Sequence, residues 1–175
     1  MSVDVKGKKI LDVTCGSRSM WFNKNHPSAL YCDKRREKWE GDFGNALRKD
    51  GTKKHRQLII EPDIQCDFTD LPFEDCSFSL VVFDPPHIEG LGATSWTRKA
   101  YGSLDENWER TLHAGFVECM RVLKTNGILI FKWNETQIPT PKIIKVLGKQ
   151  PLFGHKSGKK SNTNWLCFMK EEVEE

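Results

Sequence analysis

The stretch FSLVVFDPPH, at residues 78 to 87, ends an apolar run with an aspartate, two prolines and a histidine. A continuous apolar run of this length is typical of a strand covered on both faces, as in a parallel sheet. Proline fixes φ and has no backbone N–H, so Pro85 and Pro86 end the strand in a stiff turn. The stretch therefore predicts a buried strand with a carboxylate, Asp84, at its carboxyl end.

Other strands are predicted on both sides of this one. Short apolar runs predict strands at 8–13, 28–33, 63–68 and 127–133. At the end of the chain, 151–155 and 164–170 flank a glycine- and lysine-rich segment, which predicts a terminal hairpin.

Helices are predicted in the second half of the chain. Apolar residues recur at three- and four-residue steps from Trp108 to Leu123, which predicts an amphipathic helix that stops at the Asn126-Gly127 turn signal. A shorter helix is predicted at 140–148, with a proline in its first turn and a glycine past its end.

Strands that alternate with helices predict an α/β domain with a Rossmann-like fold. We expect a mostly parallel seven-stranded sheet with helices on both faces and a C-terminal antiparallel hairpin. A length of 175 residues suits one domain, so residues 1–175 are expected to form a single unit. Ligands of such sheets bind at the carboxyl ends of the strands, near the topological switch point.

Composition favours a soluble, cytoplasmic protein that does not enter a membrane. Apolar residues make up 38% and charged residues 29% of the chain, and no apolar run approaches the roughly 18 residues of a membrane span. The six cysteines are scattered without a C-x-x-C pair, which favours reduced thiols over disulfides or a metal site. Basic segments at 34–38, 48–56 and 156–160 are either solvated surface or contacts for a polyanion.

Aspartates recur at the carboxyl ends of the predicted strands. They are Asp12, Asp33, Asp67 and Asp84. A single aspartate after a strand is often only a turn former or cap, but four on one rim indicate a binding site. Asp33 follows Asp12 by 21 positions (33 minus 12), where this fold accepts hydrogen bonds from ribose hydroxyls. Neither G-x-G-x-x-G nor G-x-x-x-x-G-K-[ST] is present, which disfavours a dinucleotide or ATP.

Four motifs together resemble a known family. ILDVTCGSR, YCDKR, CDFTDLPF and VVFDPPH, in that order within residues 8–133, resemble the class I S-adenosylmethionine-dependent methyltransferases. The resemblance is to the amino-methylating branch, which carries D/N/S-P-P-Y/F/W/H and often D-P-F-C-G-S-G in the first loop. This chain departs from that loop at Val13 and Thr14, and Arg18 stands where a second glycine is usual.

The resemblance implies S-adenosylmethionine as the cofactor. Asp12, Cys15 and Gly16 would approach its methionine part, and Asp33 would hold its ribose. Asp67 and Phe68 would contact its adenine.

The resemblance makes Asp84, Pro85, Pro86 and His87 the catalytic residues. The amino group of a purine is a weak nucleophile because its lone pair is delocalised into the ring. A carboxylate and the carbonyl between two prolines can accept both N–H groups, which draws the nitrogen toward tetrahedral geometry. The His87 ring would stack on the base, and the sequence leaves open whether it also handles a proton.

A long irregular segment follows this motif. It carries Trp96, Arg98, Lys99 and Tyr101, whose aromatic faces and positive charges suit a base and a phosphate. These four are candidate substrate-binding residues, although a plain surface loop is as well supported.

The leading hypothesis is methyl transfer to adenine N6 or guanine N2 in DNA or RNA. The chain is too short for a separate target-recognition domain. Low-specificity DNA modification, an RNA target, and a partner that supplies recognition are therefore the open alternatives. A protein amide or small amine is an alternative substrate. A non-catalytic subunit that binds cofactor or nucleic acid is another alternative, favoured by Arg18 in place of glycine, and the missing phosphate loop disfavours a nucleotide-dependent oxidoreductase.

Overall fold

The structure is a computed structural model that describes residues 5–47, 50–156 and 161–172. Within these ranges, seven strands form one sheet: β1 (Ile10–Asp12), β2 (Ala29–Asp33), β5 (Ile64–Gln65), β6 (Phe78–Phe83), β7 (Leu123–Asn134), β8 (Phe153–Lys156) and β9 (Thr163–Met169). Two further strands, β3 (Glu37–Leu47) and β4 (Lys53–Ile60), pair only with each other. The helices are α1 (Trp96–Tyr101), α2 (Trp108–Val122) and α3 (Thr140–Leu147).

The sheet has the predicted, mostly parallel architecture. Its order is β5-β2-β1-β6-β7-β9-β8, with parallel pairing from β5 to β7 and antiparallel pairing of β9 with both β7 and β8. The Rossmann-like fold class and the C-terminal hairpin are therefore confirmed, although 157–160 of the hairpin turn lie outside the described residues. Strand β1 lies between β2 and β6, so the strand order reverses its direction beside β1. Ligands of such sheets bind at the carboxyl ends of the strands next to this reversal.

Helices α2 and α3 pack against one face of the sheet. Leu11, Val81 and Leu129 are register neighbours on β1, β6 and β7, and all three are fully buried. Leu112 and Phe116 of α2 belong to the same apolar cluster. Burial of each such side chain contributes about 1.5–3 kcal/mol to the stability of the fold. The apolar cluster between the sheet and the helices therefore fixes the strands whose carboxyl ends form the rim.

Helix α2 ends earlier than the sequence predicted. It stops at Val122, and β7 begins at once with the fully buried Leu123. The Asn126-Gly127 signal lies inside β7, where the Asn126 N–H donates to Lys170 O at 2.7 Å. Asn126 takes a φ of 62°. The turn signal is therefore used to pair β7 with the C-terminal strand region, not to cap a helix.

The segments before β6 differ from the prediction of helices on both faces. In the part of the chain that the structure describes, no helix precedes β6. Turns at 13–28 cover the second face at β1 and β2, where Trp21 packs edge-on against Tyr31 at 4.9 Å. Residues 50–56 of the basic segment 48–56 belong to the β3–β4 hairpin, and 48–49 lie outside the described residues.

No helix in the described ranges has the length and apolar character needed to cross a membrane.

Candidate active site

A cavity of about 810 Å³, including its mouth to solvent, opens at the carboxyl ends of β1, β2 and β6. Its wall combines segments that are distant in the sequence: residues 13–17 after β1, 33–35 after β2, Phe68, 84–87 after β6, and 100–103 around the end of α1. The cavity therefore occupies the rim where the sequence predicted ligand binding.

Asp33 joins the end of β2 to the first loop. Its Oδ2 accepts the Gly16 N–H at 3.0 Å, and its Oδ1 accepts the Arg35 N–H at 2.9 Å. The Arg35 side chain also donates to Oδ1 at 3.1 Å and to the Lys99 carbonyl at 2.8 Å. The Asp33 side chain is only 6% exposed. Its carboxylate therefore lies in the cavity wall with its orientation held from two sides.

The loop after β1 brings backbone close to the cavity. Gly16 has a φ of 50°, in the left-handed region that glycine enters at little cost. The Cys15 N–H donates to Cys32 O at 2.8 Å, which anchors the loop to β2. Burial raises the pKa of the Cys15 thiol to about 12, with the nearby Asp12 carboxylate acting in the same direction. Cys15 is therefore a neutral part of the wall at physiological pH.

Arg18 does not block the cavity. It adopts a φ of 55°, so it keeps the left-handed backbone that a glycine would supply. Its guanidinium lies 3.9 Å from the Tyr31 ring centroid and pairs with Asp63 at 2.9 Å. The side chain is not part of the cavity wall. The Arg18 side chain, which stands where the resembled family has a glycine, therefore lies outside the cavity wall.

Asp12 lies beneath the cavity and does not line it. It is fully buried, and it accepts hydrogen bonds from Trp21 Nε1 at 2.7 Å and from the Thr14 N–H at 3.1 Å. Burial raises the pKa of Asp12 to about 7, although both hydrogen bonds oppose that shift. In this structure Asp12 holds the turns at 13–28 against the sheet.

The two residues predicted to contact adenine take different places. Phe68 is buried, lines the cavity and packs against Phe83 with ring centroids 5.0 Å apart. The Asp67 side chain is exposed, and its Oδ1 accepts hydrogen bonds from the N–H and hydroxyl of Thr69. Phe68 presents an aromatic surface to a ligand, whereas Asp67 closes its own turn outside the wall.

The DPPH motif lies in the opposite wall. Asp84, Pro85, Pro86 and His87 all line the cavity. The Asp84 N–H donates to Thr14 Oγ1 at 2.9 Å, and its Oδ2 accepts from Lys132 Nζ at 2.6 Å. Thr14 and Lys132 are 70 and 48 positions away from Asp84, and no local pattern in the sequence predicts either contact.

His87 is a half-buried imidazole at the end of the motif. Its ring lies edge-on to the fully buried Trp133, with centroids 6.2 Å apart. Burial lowers the pKa of His87, while the Asp84 carboxylate and the Pro85 carbonyl oppose that shift. The imidazole is therefore neutral at physiological pH, with one ring nitrogen able to accept a proton.

The segment around α1 closes onto the motif at Gly102. Gly102 has a φ of 81°, and a Cβ built on it would lie 2.9 Å from Pro86 Cγ. Tyr101 and Ser103, on either side, line the cavity. The absence of a side chain at Gly102 therefore allows this segment to pack directly on the Pro-Pro turn.

Of the four predicted substrate residues, only Tyr101 lines the cavity. Trp96 packs against Trp39 of the β3–β4 hairpin at 5.7 Å, and Arg98 donates to Leu91 O at 2.8 Å. The Lys99 carbonyl accepts from Arg35, and its ammonium lies 5.8 Å from the Trp39 ring. These three side chains connect α1 to neighbouring segments outside the wall.

Comparison with solved structures identifies several with a similar fold. A protein of Pyrococcus horikoshii OT3 is 16% identical, with a TM-score of 0.54 over 95% of this chain and 83% of that one. The N-methyltransferase NodS of Bradyrhizobium japonicum WM9 is 11% identical, with a TM-score of 0.54 over 94% and 86%. The T. thermophilus 16S rRNA N2 methyltransferase RsmC, in complex with AdoMet and guanosine, is 12% identical, with a TM-score of 0.51 over 98% and 37%.

The chain shares the fold of these three proteins, two of which are named methyltransferases. No protein-family model matches the sequence, and no curated protein matches it. At identities of 11–16% the likeness concerns the fold. The activity therefore has to be argued from the cavity itself.

Proposed function

We propose that this protein is an S-adenosylmethionine-dependent methyltransferase that acts on an exocyclic amino nitrogen of a nucleobase, adenine N6 or guanine N2, in DNA or RNA. The observation that carries the proposal is the composition of one cavity. Asp33, Gly16 and Phe68 form one side of it, and Asp84 to His87 form the other. A methyl donor bound on one side and a methyl-accepting substrate bound on the other can therefore meet in this cavity.

The first side fits S-adenosylmethionine. The Asp33 carboxylate suits ribose hydroxyls, which would replace the Arg35 side chain as donors to its two oxygens. Phe68 offers an apolar ring for adenine, and the Gly16 turn exposes backbone to the amino-acid end. When bound, S-adenosylmethionine supplies an electrophilic methyl group on a sulfonium.

The second side fits a planar amino group. Asp84 and the Pro85 carbonyl accept its two N–H groups, so the nitrogen lone pair points toward the methyl donor. The nitrogen forms its bond to the methyl carbon as the carbon–sulfur bond breaks, and the electron pair of that bond stays on sulfur. The nitrogen would then release one proton, and His87, which lines the same cavity and has a lowered pKa, is the base that we propose for it.

Two features favour a nucleic-acid acceptor. Tyr101 is 52% exposed at the cavity mouth, where its ring can stack on a base. Lys34 also lines the cavity and carries a positive charge, whereas the charge of Arg35 is paired with Asp33. The similar structures include an enzyme that methylates rRNA and one named an N-methyltransferase, and both reactions are compatible with this site.

The test is transfer of radiolabelled methyl from S-adenosylmethionine to separate pools of DNA, tRNA, rRNA and protein. We expect one nucleic-acid pool to be labelled, and digestion of that pool should give a base methylated on its amino nitrogen. Asp84→Asn should abolish the label while calorimetry shows cofactor binding unchanged. Labelling of protein alone would contradict the nucleobase assignment, and no cofactor binding by the folded chain would contradict the enzyme.

A further inference from the structure

Lys132 of β7 pairs with Asp84 from outside the cavity wall. Its Nζ lies 2.6 Å from Asp84 Oδ2, and the two side chains are 23% and 15% exposed. Asp84 lines the cavity, whereas Lys132 does not. The ammonium therefore contacts the carboxylate without occupying space that a substrate would need.

Strand pairing explains this position. Phe83 of β6 is the register partner of Phe131 of β7, so Asp84 and Lys132, one residue further on, lie side by side at the sheet rim. On the other edge of β7, Lys132 is the register partner of Trp165, and its Nζ lies 5.7 Å from that ring. The lysine is held between a carboxylate and an aromatic ring.

The pairing leaves the two Asp84 oxygens in different environments. Oδ2 accepts a short, charge-assisted hydrogen bond from Lys132. Within the described ranges, no hydrogen-bond partner is found for Oδ1, and the Asp84 backbone is held by its N–H bond to Thr14. The carboxylate is thus fixed at one oxygen and at its backbone, with the other oxygen available.

We propose that Lys132 is a positioning residue for methyl transfer: it holds Asp84 Oδ2 so that Oδ1 alone accepts the substrate N–H. This inference rests on the proposed function. It also narrows the substrate class, because the Asp84–Lys132 pair has no net charge. Such a pair favours a neutral, planar amino group over a protonated alkylamine, which would need an uncompensated carboxylate.

The test is Lys132→Met, assayed with radiolabelled S-adenosylmethionine and whichever nucleic-acid pool the wild type labels. We expect kcat to fall roughly tenfold to hundredfold, the scale for a misplaced catalytic group. The cofactor Kd should stay within about twofold, since Lys132 does not line the cavity. Lys132→Arg keeps the charge and should recover part of kcat.

Lys142→Met is the matched control. Lys142 Nζ also pairs with a carboxylate, Glu109, at 2.8 Å, and lies 4.8 Å from the ring of Trp108, but on a helical surface outside the cavity wall. Its loss should leave kcat unchanged. A Lys132→Met variant with wild-type kcat would overturn the inference.

A second measurement does not depend on turnover. The carboxyl ¹³C resonance of Asp84, assigned with Asp84→Asn, should move in Lys132→Met and stay in Lys142→Met. An unmoved resonance in Lys132→Met would also overturn the inference. If the wild type binds cofactor but labels no acceptor pool, the proposed function fails, whereas the Asp84 resonance still reports whether the two residues pair.

Discussion

Thr14 joins the two sides of the cavity, because its Oγ1 accepts the Asp84 N–H at 2.9 Å. Thr14 lies two residues past the end of β1, Asp84 directly follows β6, and these strands are neighbours in the sheet. The contact couples the loop after β1 to the first residue of the DPPH motif. The hydrogen bond therefore holds the start of the DPPH motif against the loop after β1.

Thr14→Val keeps the shape of the side chain and removes the acceptor. The Asp84 N–H then loses its partner in a partly buried site, which costs about 1–2 kcal/mol in free energy of unfolding. We also expect kcat to fall roughly tenfold, because Asp84 is less well fixed. Urea denaturation and the transfer assay measure the two effects. Thr14→Ser keeps the hydroxyl and should behave nearly as wild type.

Asp33→Asn removes the charge that faces the cofactor side of the cavity. The loss of charge-assisted hydrogen bonds should weaken S-adenosylmethionine binding by about 1.5–3 kcal/mol, as measured by calorimetry. Asp67→Asn is the comparison, since Asp67 is exposed and outside the wall, and its affinity should be unchanged. If both variants lose the same affinity for S-adenosylmethionine, Asp67 contacts the adenine as the family resemblance implies.

Gly102→Ala places a methyl group against the Pro-Pro turn. The added Cβ would lie 2.9 Å from Pro86 Cγ, at a φ of 81° that an L residue disfavours. Gly90→Ala controls for the backbone cost, because Gly90 has a φ of 72° and nothing within 4 Å of its added Cβ. Thermal unfolding should show Gly102→Ala as the less stable of the two, and only this variant should lose methyl transfer.

Arg18→Gly restores the residue that is usual in the family's first loop. The variant loses the Asp63 pair and the contact with Tyr31, so the free energy of unfolding should fall by about 2–3 kcal/mol. Cofactor affinity should change less than about threefold, since the Arg18 side chain is not in the cavity wall. A large rise in affinity would mean that Arg18 restrains the site, as the non-catalytic alternative requires.

Asp12 should make stability depend on pH near neutrality. Its folded-state pKa is raised from 3.8 to about 7 by burial, so the folded protein holds this proton more tightly than the unfolded chain. The stabilising contribution is complete below pH about 4 and is lost as pH rises to about 7. Asp12→Asn cannot titrate, so its stability relative to wild type should rise by about 1–3 kcal/mol between pH 5 and 8.

Urea denaturation across this pH range measures the difference, with Asp67→Asn as the control. The amide oxygen introduced by Asp12→Asn can still accept the Trp21 N–H. A change in the other contacts of this side chain would shift the free energy of unfolding equally at every pH. A difference that stays flat from pH 5 to 8 would contradict a raised pKa for Asp12.

The sheet and its rim could be predicted from local patterns. The apolar run before Asp84 and the turn signals around the strands specify buried parallel strands, because such strands exclude polar residues. The aspartates at the strand ends then follow from the direction of the chain. For this reason the sequence alone predicts that Asp33, Phe68 and the DPPH motif lie at one edge of the sheet, and all of them line the cavity.

Local patterns could not specify the β3–β4 hairpin or the early end of α2. Strands β3 and β4 pair as a hairpin, and Trp39 of β3 packs against Trp96, far along the chain, with ring centroids 5.7 Å apart. Helix α2 ends at Val122, where Leu123 enters the sheet beside Phe78 of β6, a residue 45 positions earlier (123 minus 78). Both outcomes rest on partners that a local window does not contain.

The sequence by itself determined the residue types that meet at the rim: a carboxylate after each of several strands, a glycine turn and a Pro-Pro turn. Only the tertiary structure decided which side chains face the cavity. Asp12 ends β1 as Asp33 ends β2, and Asp67 lies two residues past β5. Yet Asp12 is buried under the turns, and Asp67 closes its own turn. Strand register set Lys132 beside Asp84, because hydrogen bonding between β6 and β7 aligns residues that are distant along the chain.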